Sequence, residues 1–149
     1  MKYACFLLCL NFFKNSQAQA INDTTAIKRL LEKESQTWRA GDVKAHAACW
    51  QIRPYSRVLV SLADGRCFDV PPQNMITPDP KQMDKGGMSM NLNYTFHVHD
   101  NEAWVSHDEI STTPDGQKTY SHEMRMLEKV SGSWKLVGQS IHIYNPAAK

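Results

Sequence analysis

His107 and Glu123 are the two side chains of this 149-residue chain best suited to acid–base work. A carboxylate beside an imidazole orients it and raises its basicity, which general acid–base catalysis needs. Tyr94 and Ser140 can donate hydrogen bonds to an oxygen on which negative charge develops. Arg125 can grip a ligand carboxylate with two parallel bonds. Its structural alternative, slightly preferred, is a buried guanidinium paired with Glu123 two residues away. His142 with Glu109 makes a second acid–base or metal pair, and these two with His107 and Glu123 have the donor types of a divalent-ion site. No tight ligand spacing supports a metal, so neither a metal nor a cofactor is expected. The alternative for the His107–Glu123 pair is a polar network that lines or plugs the interior for structural reasons, and it is preferred.

These residues are far apart in the chain, so only strand pairing can gather them. Leu92, Tyr94, Phe96 and Val98 alternate with polar residues, as a half-buried strand does. A two-residue loop at Asp100-Asn101, a three-residue loop at Pro114-Asp115-Gly116 and a turn at Ser131-Gly132 then give a run of long hairpins. Turn lengths fix register, and register decides which residues share a face. The expected rows are Val98, Ala103, Leu127 and Leu136, then Phe96, Val105, Arg125 and Gly138. Next come Tyr94, His107, Glu123 and Ser140, and finally Leu92, Glu109, Ser121 and His142. This face is apolar at one end and polar at the other. Bent into a cone, it would have a greasy closed end and an ionisable mouth.

The other face carries Met124, Met126, Val137, Ile141 and Ile143, with His97, His99, His122 and Trp104. Glu128 opposite Lys135 forms an expected cross-strand ion pair. An apolar outer face needs a cover. The N-terminal helices can shield only one side of the sheet, so a homodimer through the outer face is expected.

Upstream, Ile27, Leu30, Leu31 and Trp38 fall on one helical face, with Asp23 or Thr24 as cap and Gly41 as stop. Asp42 caps a second helix carrying Val43, Ala47 and Trp50, closed before Pro54. Arg57 to Leu62 and Arg66 to Val70 read as two shorter strands around Ala63-Asp64-Gly65. Pro71 to Gly87 is loop with room for one short helix. Trp38, Trp50 and Trp134 read as core. Helices followed by hairpins indicate an α+β class.

The first twenty residues read as a secretory signal peptide: Lys2, an apolar run from Ala4 to Phe13 broken by Asn11, then Ala18-Gln19-Ala20. A short buried helix is the alternative. Cleavage after Ala20 gives a domain over 21–149 in the periplasm or outside the cell. Removing Lys2 and Lys14 from 17 basic residues leaves 15 against 15 acidic ones, with no basic cluster. That argues against nucleic acid or an anionic membrane as partner. Of the four cysteines, Cys49 and Cys67 remain, as one disulfide or as two thiols.

Three segments carry a family resemblance. They are Thr37-Trp38-Arg39-Ala40-Gly41-Asp42 between the helices and Asp100-Asn101-Glu102-Ala103-Trp104-Val105 at a hairpin. The third is Arg125-Met126-Leu127-Glu128-Lys129 followed by Gly132-Ser133-Trp134-Lys135-Leu136-Val137. In that order the chain resembles the nuclear-transport-factor-2-like (NTF2-like, SnoaL-like) superfamily over nearly all of residues 21–149. The resemblance implies a cone-shaped antiparallel sheet with N-terminal helices over its concave face, and often a dimer. The superfamily holds isomerases, dehydratases, cyclases and non-catalytic modules, so the fold leaves function open. Three expectations follow: a pocket for a small apolar or amphipathic molecule, a lyase or isomerase using His107 and Glu123, or a dimerising module with a vestigial pocket. Tyr94, Glu109, Arg125, Ser140 and His142 are the candidate ligand contacts.

Overall fold

The computed structural model describes residues 4–83 and 86–146, with side chains from Asn22 onward; the side chains of the expected signal peptide, residues 1–20, lie outside those described. Helix α1 (Ala4–Arg39) runs unbroken through Asp23, which therefore caps nothing. Its carboxylate instead accepts a hydrogen bond from Trp134 Nε1 at 3.0 Å and pairs with Lys129 Nζ at 2.6 Å. Gly41 ends the helical region at φ +66°, a conformation only glycine adopts without strain. Helix α2 (Val43–Ala47) is capped by Asp42, whose side chain accepts from the Ala45 N–H. Trp50 has left the helix and makes an isolated parallel bridge to Leu136.

Strands β1 (Val58–Ser61) and β2 (Cys67–Val70) are followed by a 3-10 turn at Pro72–Met75. The long strands are β3 (Met88–His99), β4 (Glu102–Thr112), β5 (Lys118–Val130) and β6 (Ser133–Tyr144). They form one six-stranded curved sheet in the order β2-β1-β6-β5-β4-β3. The sheet is mixed: β1 runs parallel to β6, while every other pair is antiparallel. A parallel neighbour requires a crossover connection, here the whole β3–β5 meander. The core is Ile27 and Leu31 of α1 against Val58, Val105, Leu127 and Leu136, all at most 2 % exposed. Burying such aliphatic side chains stabilises by about 1.5–3 kcal/mol each.

Register follows the turn chemistry through β3–β4 near the loop and through β4–β5 throughout. Phe96 meets Val105, Val105 meets Arg125, and His107 meets Glu123. Two bulges alter the rest. In β3, Asn93 adopts φ +56° and the pairing shifts between Leu92 and Thr95, so Asn91 rather than Leu92 stands opposite Glu109. In β6, Val137 is an extra residue: Leu127 meets Leu136, but Met126 meets Gly138, Arg125 meets Gln139 and Glu123 meets Ile141. A bulge inserts one residue and reverses the facing of all that follow. Gln139, Ile141 and Ile143 therefore turn into the cone. Ser140 and His142 turn outward, against the expectation that they line it.

Glu128 and Lys135 are cross-strand partners but form no ion pair with each other. Glu128 binds Arg53 at 3.0 Å and the Tyr55 hydroxyl, while Lys135 donates to the Ala48 carbonyl. Cys49 and Cys67 are free thiols, the first buried and the second exposed. Burial pushes the Cys49 thiol up to about 11. Among the described residues, no helix is long and apolar enough to cross a membrane.

Candidate functional site

Helix α1 lays Ile27, Leu31, Glu34, Ser35 and Trp38 along one face at intervals of three and four. Its first two members seal the core. The next ones enter a cavity of about 360 Å³ between α1 and the sheet. The polar part of its wall includes Glu34, Ser35 and Arg39 from α1, Glu109 from β4, Ser121, Glu123 and Arg125 from β5, and Gln139 from β6, with Asn74 and Gln82 from the loop after β2. The apolar part is Val58 and Val60 from β1, Val70 from β2, Met75, and Ile141 and Ile143 from β6. Polarity thus changes across the sheet, from β2 and β1 through β6 to β5 and β4. The sequence pattern predicted a change along the strands only.

Charges in the polar wall are closely tied. Glu109 accepts from Ser35 Oγ at 2.8 Å and from Arg39 Nη2 at 3.0 Å. Glu123 accepts from Ser121 Oγ at 2.9 Å and from Arg125 Nη2. Arg125 also donates to Gln139 Oε1 and lies 3.4 Å from Glu34 Oε2. Burial favours a neutral Glu123, but the Arg125 charge, His107 and the bonds from Ser121 and Arg125 outweigh it and hold the carboxyl below its ordinary value. Burial likewise opposes charge on Arg125, and Glu123, Glu34 and Glu109 overcome it, raising its pKa.

His107 and Glu123 are brought together, Nε2 to Oε2 at 3.7 Å. His107 nevertheless lies behind the wall and does not line the cavity. Its side chain is fully buried, its Nδ1 lies 3.3 Å from the Asp108 carbonyl, and Nε2 has no hydrogen-bond partner. Burial and the Arg125 charge lower its pKa despite the pull of Glu123, so the imidazole is neutral at pH 7. Tyr94 also lies outside the cavity lining. Its ring stacks on Phe96 at 5.4 Å and tilts against His107 at 5.3 Å, and burial pushes its phenol up to about 12.

The structure therefore brings Glu109, Glu123 and Arg125 to one cavity and leaves His107 and Tyr94 behind it. On the outer face, Ser140 Oγ lies 2.9 Å from His142 Nε2. Pairing of His142 with Glu109 is thus precluded, and among the described residues no three potential ligands cluster to hold a metal. The sequence reading missed Glu34, Ser35, Arg39, Gln139 and the two isoleucines. The helix period carried a signal for the first two, polar types at positions spaced for burial. Nothing in the residue pattern announced the Val137 bulge.

No protein-family model and no curated protein matches the sequence. Solved structures do. An NTF2-like protein with a cystatin-like fold from Novosphingobium aromaticivorans superposes with a TM-score of 0.65 at 13 % identity, covering 90 % of each chain. The chain has the NTF2-like fold. A candidate scytalone dehydratase from the same organism gives 0.65 at 16 % identity over 87 % of this chain and 89 % of the other. A cystatin-like protein of unknown function from Nostoc punctiforme gives 0.64 at 14 % over 84 % and 92 %. At such identities the likeness concerns the path of the NTF2-like cone and not its chemistry.

Proposed function

We propose that this NTF2-like domain binds a small amphipathic molecule inside its cone and that binding, not acid–base turnover, is its task. The observation that carries this reading is the two-sided cavity of about 360 Å³, apolar toward β1 and β2 and charged toward β4 and β5. Its size falls in the range of small-molecule sites, and an apolar wall with a few convergent polar groups is their usual make-up. The volume corresponds to about a dozen water molecules at the density of the liquid, so the ligand is compact.

The isomerase or dehydratase reading has one relative in its favour, the candidate scytalone dehydratase of the same fold. Two features of this chain weigh against it. Glu123 is committed to Arg125 and held below the ordinary carboxylate range, which makes it a weak base. His107 has no access to the cavity that its pairing partner lines.

Ile141→Trp fills the cavity from its apolar side and supplies the test. A fragment screen by thermal shift on the wild-type protein is expected to find ligands that raise Tm, and Ile141→Trp is expected to abolish those shifts. Shifts of equal size in both proteins, or none in either, would overturn the reading.

Two further proposals concern setting. The domain works outside the cytoplasm after loss of residues 1–20, so a secreted sample begins near Ile21 by mass. It pairs with a second copy through the outer face, where Trp104, Met124 and Met126 are 40–46 % exposed.

A further inference from the structure

Glu34 is the least compensated charge of the cavity. Its carboxylate is 7 % exposed and lines the cavity. Its contacts are all long: Trp50 Nε1 at 3.4 Å, Arg125 Nη1 at 3.4 Å and His46 Nε2 at 3.7 Å. Charge-assisted bonds of this type close to about 2.7–2.9 Å when fully made. The contrast with its neighbours is direct. Glu109 has Ser35 and Arg39 within 3.0 Å, and Glu123 has Ser121 at 2.9 Å and the closest approach of Arg125.

The charge count agrees with the distances. Among the described residues that line the cavity, Glu34, Glu109 and Glu123 face only two cations, Arg39 and Arg125, for a formal charge of −1. Arg125 serves both Glu34 and Glu123, and the second takes it. His46 and His107 stand behind the wall and are not part of its lining. An ionised carboxylate offers about four acceptor positions, more than the three long contacts of Glu34 fill. A buried carboxylate short of partners is costly unless a cation or strong donor meets it.

Resting on the pocket reading above, we infer that the ligand is a cationic amphiphile: a compact hydrocarbon body bearing a primary or secondary amine. The ammonium donates to Glu34 and restores charge balance. The hydrocarbon lies against Val58, Val60, Val70 and Ile141. A carboxylate ligand would face a wall already in negative excess. An alcohol would supply a donor without the compensating charge.

The experiment is a matched series on one body: cyclohexylmethylamine, cyclohexylmethanol and cyclohexanecarboxylate, titrated calorimetrically at pH 7 into wild type, Glu34→Gln and Ile141→Trp. The amine is expected to bind wild type roughly ten-fold or more tightly than the alcohol, with the carboxylate weakest. Glu34→Gln should bring the amine and alcohol to within about two-fold of each other. Alcohol or carboxylate binding as tightly as the amine in wild type would overturn the inference and leave the pocket reading intact. A preference for the amine that survives in a folded Glu34→Gln would overturn the assignment of Glu34. No binding by any member to wild type would overturn the inference. If the fragment screen also gave no shift abolished by Ile141→Trp, the pocket reading would fall with it. Should Glu34→Gln not fold, the order of the three ligands on wild type still decides.

Discussion

Arg125 and Gln139 stand opposite each other across β5 and β6, and the guanidinium donates to the amide oxygen. They meet only because Val137 is an extra residue in β6. Were Val137 paired with Met126 as in a regular strand, Arg125 would face Gly138, and the cone would contain Ser140 and His142 in place of Ile141 and Ile143. One backbone irregularity thus sets the polarity of the cavity wall.

Deleting Val137 is expected to remove the irregularity without reversing any facing: Leu136 stays opposite Leu127, and Gly138 and Gln139 follow opposite Met126 and Arg125 as a regular ladder. The variant should keep Ile141 and Ile143 inside and lose less than about 4 kcal/mol, the level at which single changes are diagnostic. Urea denaturation followed by circular dichroism measures it. A shortened chain that loses more, or that unfolds without cooperativity, would show that the extra residue does more than set register.

Arg125→Met leaves Glu123 and Glu34 buried without their shared cation. Breaking a buried pair from one side costs about 3–5 kcal/mol. The triple change Glu34→Gln, Glu123→Gln, Arg125→Met should recover much of that cost. Equal stability for the single and triple variants would show that the carboxylates are not what the arginine satisfies.

Acid should act in two stages. His107 has a lowered pKa in the folded state, so between that value and its ordinary 6.5 the unfolded chain binds more protons. Stability accordingly falls as pH drops below about 6.5, by at most about 1.4 kcal/mol per pH unit for one proton. Glu123, also lowered, contributes stability present above its ordinary 4.5 and lost as pH falls through its folded value. His107→Gln should flatten the limb that begins below about pH 6.5 and leave the second. Identical pH profiles for the two proteins would contradict the neutral, buried imidazole.

Gly138→Ala places a methyl 2.5 Å from Met126 Cε and 3.2 Å from the Arg57 carbonyl. The methionine can swing away and the backbone cannot. A cost of about 1–3 kcal/mol is expected for such overpacking. Adding Met126→Ala should relieve only part of it, and a double-mutant cycle reads the coupling. Full rescue would show that the backbone at Arg57 yields.

For self-association, Met124→Glu is the informative substitution, since Met124 lies on the outer face and is 46 % exposed. Sedimentation equilibrium should give a dimer for wild type and a monomer for the variant. Ile141→Glu, which the unbulged register would have favoured, reports instead on the cavity.

Much of the architecture was legible in residue types. Asp42 caps, Gly41 stops, and Gly116 and Gly132 take up the positive φ their turns demand. The Gly116 turn pinned β4 against β5 along its whole length, which placed Glu109, Glu123 and Arg125 on one face. What the pattern did not disclose was non-local. A bulge at Val137 has no compositional mark: valine suits a regular strand as well. The parallel pairing of β1 with β6 is set by tertiary packing, not local spacing. Glu34 and Arg39 read as surface charges of an amphipathic helix until Glu109 and Arg125 are set beside them.

The bulge at Asn93 has a consequence outside the cone. Strand β3 is twelve residues long and forms one border of the sheet, with a free row of peptide groups. A straight border of that length is a template on which another chain can zip up. The left-handed kink at Asn93 breaks the row into two short pieces of different direction. The same distortion that brings Asn91 opposite Glu109 thereby shortens the straight edge on which another strand could pair.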